Sequence, residues 1–332
     1  VIGMKIKLLG MNLEDLKKVV AEEGLPGFTA KQIAQWLYVK KVRSIDDMTN
    51  LSKAARAALG EKYEVGVTPY AGLQISTDGT RKYLFLLEDG NVIESVLMRY
   101  KHGNSVCISS QVGCRMGCRF CASTLDGLVR GLTAGEMLDQ IYQIGKDIGE
   151  RISNVVVMGT GEPLDNYDNV VKSIRLINYP LGLNIGARHI SVSTCGLVPK
   201  IYELADTNMQ ITLAISLHAS NDETRKELMP VAKAYSIEEI LKACKYFFDK
   251  TGRRLTFEYS LVAGLTASGA DVSLLHVTTT PSVAYVVRTE GYDCGIMISA
   301  SHNPFYDNGI KIINGNGQKI EAAIEEQIED YI

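Results

Sequence analysis

Between residues 101 and 263 two periodicities take turns, and that alternation limits the possible folds more than any other feature of the chain. Apolar runs with period two ("ISNVVVMG", "RHISVST", "ITLAISLHA", "RLTFEYSLVAG") are separated by runs with helical period ("AGEMLDQIYQIGKDIG", "DNVVKSIRLIN", "VPKIYELAD", "SIEEILKACKYFFDKTG"). A strand that follows a helix returns parallel to its predecessor, so the pattern predicts βα units in an open sheet or a barrel. In such folds the chemistry gathers at the C-terminal ends of the strands.

The flanks read differently. Residues 11–65 have helical spacing, with Ile33, Trp36 and Leu37 on one face of a helix expected to start at a Thr29 cap. Lys31, Lys40, Lys41 and Arg43 either touch phosphates or coat a solvated helix face. Residues 73–100 switch to period two around Asp78-Gly79 and Asp89-Gly90, the pattern of a β-meander. Its last strand puts Glu94 on the same face as Val92, Val96 and Met98. A carboxylate there is a candidate base, and the plainer reading is an edge residue.

No apolar run approaches the roughly 20 residues that a membrane helix requires, so no membrane contact is expected. With neither a membrane run nor a recognisable secretion signal, the cytoplasm is the default compartment. "VIGMKIKLLGMN" does not read as a signal peptide, and Met4 is the expected start after a short leader. Charge divides unevenly: 3 basic against 9 acidic residues from Gly264 onward, and 32 against 29 before it. That break marks two segments of different character.

Four of the seven cysteines fall in "CISSQVGCRMGCRFCAST", Cys107 to Thr124. In a reducing compartment clustered thiols indicate a metal or catalysis rather than disulfides. Cys114, Cys118 and Cys121 form C-x3-C-x2-C. Structural zinc requires four ligands, usually closed by a distant second pair, and no such C-x-x-C or H-x3-H pair is present. Zinc closed by Cys107 or a histidine stays open as the plain alternative. An iron–sulfur cluster normally takes four cysteines, so three would leave one iron free for a small molecule. Downstream, Gly159, Gly161, Glu162 and Pro163 follow an apolar strand. There glycines let backbone approach a ligand, and a carboxylate accepts bonds from an ammonium. Ser193 and the run Ser216, Leu217, His218 end two further strands, where they are placed to bond a ribose or a carboxylate.

The three-cysteine spacing resembles the radical S-adenosylmethionine (SAM) enzymes. With "VVVMGTGEPLDNYDNV", "ISVSTCGLVPKI", "AISLHASNDETRKELMP" and the N-terminal "FTAKQIAQWLY", residues 4 to about 263 resemble the adenine-C2 methyltransferases of ribosomal and transfer RNA, the RlmN/Cfr group. The resemblance implies a 4Fe-4S cluster on Cys114, Cys118 and Cys121. It implies SAM bound by Gly161, Glu162, Ser193, Ser216, Leu217 and His218, an RNA partner, and an electron donor such as flavodoxin. In that family one SAM methylates a carrier cysteine near the C-terminus, and a radical made from a second activates the methyl to add to adenine carbon 2. By resemblance Glu94 takes the proton and Cys107 pairs with the carrier to release product. Cys195 and Cys244 read as buried thiols without a role.

After "LVAG" (Leu261–Gly264) this pattern ends, and neither a further SAM-contacting Asn nor the carrier cysteine is recognisable. Cys294 lies in a strand of different character. Residues 264–332 instead resemble the first domain of phosphoglucosamine mutases (GlmM) and other phosphohexomutases, through "ISASHNP". There Ser301 would carry phosphate, with His302 and Lys311 beside it. The chain thus reads as chimeric, joined at a tetrapeptide that both families share. The expected fold class is α/β: a helical RNA-contacting domain at 1–66, a β-meander with an incomplete radical-SAM (β/α) barrel at 67–263, and a fragment of phosphohexomutase domain I at 264–332. The expected function is SAM-dependent methylation of carbon 2 of an RNA adenine, incomplete in this chain for want of the carrier. Phosphosugar isomerisation and a zinc-stabilised RNA-binding module are the alternatives.

Overall fold

The computed structural model describes residues 5–101, 103–259, 271, 280–299, 309–321 and 323–324. Contacts divide the chain into two units, Val1–Ala270 and Asp271–Ile332.

The first unit opens with β1 (Ile6–Lys7), α1 (Leu13–Glu22), α2 (Thr29–Ala34), α3 (Lys53–Lys62) and β2 (Tyr63–Glu64), the two short strands pairing in parallel. Helix α1 starts in a capping box, Asn12 and Asp15 each accepting the other's backbone N–H. Thr29 is not a cap: it is buried inside α2, whose cap position is Phe28. Beyond Ala34 the helix widens into a π-turn over Gln35–Lys40 and stops at Lys41, which sits in the left-handed region at φ 55°. Ile33, Trp36 and Leu37 are buried as their spacing predicts. They share one core with the rest of the unit. Gly10 makes that junction close, since a Cβ there would lie 2.8 Å from the Gly135 Cα.

The meander strands β3 (Tyr70–Ile75), β4 (Arg81–Leu86) and β5 (Val92–Tyr100) run antiparallel into β6 (Gly103–Ile108). From β6 the sheet continues in parallel through β9 (Ile152–Val157), β10 (Ile190–Thr194), β11 (Thr212–Ser216) and β12 (Leu255–Glu258). One eight-stranded sheet results, in the order β12-β11-β10-β9-β6-β5-β4-β3. The small hairpin β7 (Gln111–Gly113) and β8 (Leu128–Gly131) brackets the cysteine loop. Helices α4 (Ala134–Ile148), α5 (Tyr167–Ile177), α6 (Val198–Asp206), α7 (Asp222–Leu228) and α8 (Ile237–Thr251) fill the connections. Helices α4 and α8 each begin in a capping box and end on a left-handed glycine, Gly149 and Gly252.

Because side chains alternate across a strand, register sorts the sheet into two faces. Phe85, Leu97, Val106, Val157, Val192 and Ile215 share one face and are wholly buried in the unit's core. Burying each stabilises the fold by about 1.5–3 kcal/mol. The other face carries Glu94, Cys107, Ser193, Ser216 and Glu258. Strand β5 is paired on both sides, so Glu94 is exposed because its face is open and not because its strand is an edge.

The second unit contains α9 (Thr280–Glu290) and an antiparallel pair, β13 (Cys294–Ser299) with β14 (Gly309–Asn314). Val283, Val287 and Ile313 form its small core. Among the described residues no helix is long and apolar enough to cross a membrane.

Candidate active site

The C-terminal ends of β9, β10, β11 and β12 converge on a cavity of about 170 Å³, and the cysteine loop walls the other side of it. Cys114, Cys118 and Cys121 line it together with Gly161, Glu162, Ser193, Ser216 and His218. The structure therefore brings together eight residues drawn from four separated motifs. Leu217 contributes through its backbone, its N–H donating to the Glu258 carbonyl at 3.0 Å and its own carbonyl accepting from Arg225 at 3.2 Å.

The loop is tethered to the strand ends. Arg115 reaches Asp165 with two guanidinium nitrogens, one at 2.9 Å, and Gln111 donates to the same carboxylate at 2.9 Å. The Gln111 side-chain amide oxygen accepts the Glu162 N–H at 2.9 Å. Gly161, at φ 107°, passes so near that a Cβ would lie 2.9 Å from the Gln111 nitrogen. Only glycine fits this approach. Further back, the buried Ser109 hydroxyl donates to the Glu94 carbonyl at 2.6 Å and accepts from Thr160 N–H at 2.9 Å, joining β5 to the glycine loop.

Glu162 is buried, and its two oxygens accept backbone N–H groups of Leu164 (3.0 Å) and Cys195 (2.8 Å). Burial still pushes its carboxyl above the ordinary carboxylate range, so a cation beside it would be favoured. Opposite, Glu258 accepts from Ser216 at 3.2 Å and from Ser193 at 3.4 Å, and the two hydroxyls lie 3.2 Å apart. This polar triangle has spare acceptors suited to ribose hydroxyls. His218 holds a left-handed backbone at φ 58°, and its ring meets Phe120 edge-on at 4.9 Å. Burial, with the nearby Arg225 charge, lowers its pKa and keeps it neutral near pH 7. Arg225 itself is fully buried and bonds the carbonyls of Leu217, Tyr235 and Cys195, the last at 2.7 Å, which fixes three loops around the cavity.

Burial, reinforced by the neighbouring thiols, pushes Cys118 up to about 12 and raises Cys114 as well. Buried thiols such as these two become thiolates only against strong positive charge, and with the half-buried Cys121 beside them they make the donor set of a metal centre. Cys114, Cys118 and Cys121 line one cavity from a single loop, and three thiols so placed suit three irons of one cluster, so the donor set fits that group.

Cys107 and Glu94 stand on the same open face on the neighbouring strands β6 and β5, outside the residues that line the cavity. Cys107 is half-buried, with its thiol pushed up by burial. Glu94 pairs with Lys82 at 3.3 Å. Ser301 and His302 lie outside the described residues. Lys311 falls in β14 of the second unit.

Sequence reasoning missed Glu258, Arg225 and Asp165, and gave Cys195 no role although it lines the cavity. Glu258 had a signal: once β11 and β12 are paired in parallel, it falls opposite Ser216. Arg225 is one of five charged residues in "DETRKE" and Asp165 a lone carboxylate in "PLDN", and nothing local marks either.

Comparison with known proteins agrees with this geometry. Residues 6–65 match the ribosomal RNA large subunit methyltransferase N-terminal domain, residues 108–272 the radical SAM superfamily, and residues 252–332 the α/β/α domain I of phosphoglucomutase/phosphomannomutase. A probable dual-specificity RNA methyltransferase RlmN from Clostridium perfringens strain 13 is 57% identical over 269 residues, 81% of this chain and 78% of its own length. The protein of the same description from Lachnospira eligens is 60% identical over 259 residues, 78% of this chain and 74% of its own length. The crystal structure of a radical SAM methyltransferase from Sphaerobacter thermophilus superimposes with a TM-score of 0.72 at 41% identity, covering 76% of each chain.

Proposed function

The chain belongs to the RlmN family of radical SAM RNA methyltransferases, and on that premise we propose that its first unit binds a 4Fe-4S cluster, SAM and RNA to act at carbon 2 of an adenine. The observation that carries the proposal is the convergence, in one cavity, of three thiols with the Glu162 and Glu258 carboxylates.

Cys114, Cys118 and Cys121 would hold three corners of the cluster. When bound, the cluster supplies one-electron reduction to a SAM at its open corner. Glu162 orients the ammonium group of SAM from a carboxylate already locked by two backbone N–H groups. Ser193, Ser216 and Glu258 hold the ribose, and the left-handed His218, edge-on to Phe120, closes the rim and limits water. Glu94 and Cys107, on the adjoining strands of the same face, take the parts of proton acceptor and second reactive thiol. An external electron donor reaches the site from the exposed side of the cysteine loop, where Phe120 and Leu125 are uncovered.

The test pairs two readouts on anaerobically reconstituted protein: release of 5′-deoxyadenosine from SAM after dithionite, and binding of a transfer RNA transcript. Wild-type protein is expected to do both. Ser216→Ala is expected to keep the cluster and RNA binding while SAM affinity falls several-fold. No cleavage by a cluster-loaded wild type, or no RNA binding, would contradict the reading.

A further inference from the structure

Of the charged side chains buried among the described residues, Glu136, Asp139, Glu162 and Arg225, the last is the one cation. Glu136 is answered by Arg130 at 2.8 Å. No such partner answers Arg225: among the described residues its guanidinium bonds only carbonyls, those of Cys195 at 2.7 Å, Leu217 at 3.2 Å and Tyr235 at 3.4 Å. The carboxylate of Asp222, one turn earlier on α7, is within its electrostatic reach but spends an oxygen on the Ile237 N–H at 2.9 Å. Arginine stays charged in proteins, so a full positive charge is buried here. Leaving such a charge unanswered is costly. The hydrogen bonds alone do not require it. The amide of a glutamine could serve two of the three carbonyls with no charge to desolvate.

What lies beside the charge is the cysteine loop. Burial pulls the pKa of Arg225 down, and the groups whose negative charge would oppose this are Cys195, Asp222 and Cys118. Cys118 and Cys195 pack with Leu228 and Met229 in one small cluster, against which Cys121 and Met116 also rest. Leu228 and Met229 end the helix that carries Arg225, so the charge and the loop share one support. The Leu228 carbonyl accepts the Arg119 N–H at 2.9 Å, next to Cys118, and the Arg225 carbonyl accepts the Met229 N–H at 2.8 Å. Cys195 links the charge to the other side of the cavity as well. Its carbonyl faces Arg225, and its N–H donates to Glu162 at 2.8 Å. Three thiolates around an iron–sulfur core make an anionic site, and reduction adds a further negative charge.

We propose that Arg225 is the buried counter-charge of the metal site: its guanidinium stabilises the reduced, thiolate-bound state and makes the site easier to reduce. The proposal rests on the cluster reading above and deepens it. Arg225 lines no part of the cavity, so it is a positioning residue and not a catalytic one. Its charge acts from behind the cavity wall, where the buried Leu228 and Met229 keep water away and screening is weak. Charge and hydrogen bonding around such a site are the protein's means of setting its potential. The guanidinium fork has a second task. By holding Cys195 it keeps the N–H that locks the Glu162 carboxylate in place. Affinity for SAM therefore depends on the bonds of Arg225, and the potential on its charge.

Two variants, reconstituted anaerobically, separate charge from shape. The midpoint potential is read by redox titration followed by electron paramagnetic resonance, SAM affinity by titration calorimetry, and folding by the melting temperature of the metal-free protein. Arg225→Gln keeps part of the hydrogen bonding and loses the charge, whereas Arg225→Lys keeps the charge and loses the fork. Both are expected to weaken SAM binding several-fold. Only Arg225→Gln is expected to move the midpoint to a more negative potential, leaving less of its cluster reduced at a fixed dithionite concentration. Arg225→Lys should stay at the wild-type potential. A purely structural role would move potential, SAM affinity and melting temperature together in both variants. A wild-type potential in folded, loaded Arg225→Gln, or an equal shift in Arg225→Lys, would overturn the proposal. Should the glutamine variant not fold, the lysine variant decides alone: a wild-type potential despite weakened SAM binding bears the proposal out, and a shifted one overturns it. A wild type that takes up no cluster would overturn the radical SAM reading and the counter-charge with it.

Discussion

The two faces of the eight-stranded sheet are built by opposite rules. On the helix side Phe85, Leu97, Val157 and Ile215 are completely buried, and identity there is a matter of apolar shape. On the other side Glu94, Cys107, Ser193, Ser216 and Glu258 present polar or reactive atoms that contribute little to folding. Alternation lets one strand serve both tasks: Val192 belongs to the core and its neighbour Ser193 to the active site. The lesson is that stability and chemistry separate by residue parity along each strand, so they should separate in mutants as well.

The largest effect tests the open side. Cys118→Ala is expected to abolish cluster loading and 5′-deoxyadenosine release entirely, measured as iron content and product, while far-UV circular dichroism stays unchanged. Loss of secondary structure would show that the thiol holds the fold and not a metal.

Next comes the helix side. Leu213→Ala removes a wholly buried side chain of β11. It is expected to cost about 3 kcal/mol in denaturant unfolding. SAM affinity of the remaining folded protein should hardly change. An intact melting profile with lost SAM binding would mean that the faces are not independent.

A pH effect of similar or smaller size belongs to the core. Burial raises Asp139 to about 6 from an ordinary 3.8, with Thr68 N–H and Gln143 opposing that shift. Between these values the folded state holds a proton that the unfolded state has lost, so stability falls as pH rises from about 4 to about 6 and stays lower above. The drop is up to about 3 kcal/mol. Asp139→Asn should remove this slope in unfolding measured across pH 4–7, and a slope that persists would assign it to another group.

The smallest expected effect sharpens the comparison. Ser193→Ala leaves the core untouched, so its unfolding free energy should shift by less than about 1 kcal/mol. SAM affinity should nevertheless fall severalfold, by titration calorimetry on reconstituted protein.

Legibility in the sequence follows the same division. The helix side could be read from periodicity, because burial imposes the spacing: every βα unit proposed between residues 150 and 258 is present. The clustered motifs of the open side were legible too, since three cysteines or a Gly-x-Gly-Glu-Pro run are rare locally. Glu258, Arg225 and Asp165 were not. Each acts across a gap that only the folded register closes, as when Asp165 meets Arg115, 50 positions away. The π-turn ending at Lys41 was equally hidden, because "WLYVKK" reads as ordinary helix. The meander and the parallel strands were read as successive regions, yet β5 and β6 join them into one sheet, which is what places Glu94 and Cys107 beside each other's strands.

The account stands on the open face holding a metal cluster with one vacant coordination position. Electron paramagnetic resonance of the anaerobically reconstituted, dithionite-reduced protein, with and without SAM, tests that most directly. The account predicts a reduced 4Fe-4S signal, from about four irons per chain, whose g values shift when SAM is added and which is missing in Cys118→Ala. A protein that binds one zinc and gives no signal, or a cluster signal indifferent to SAM, would contradict it.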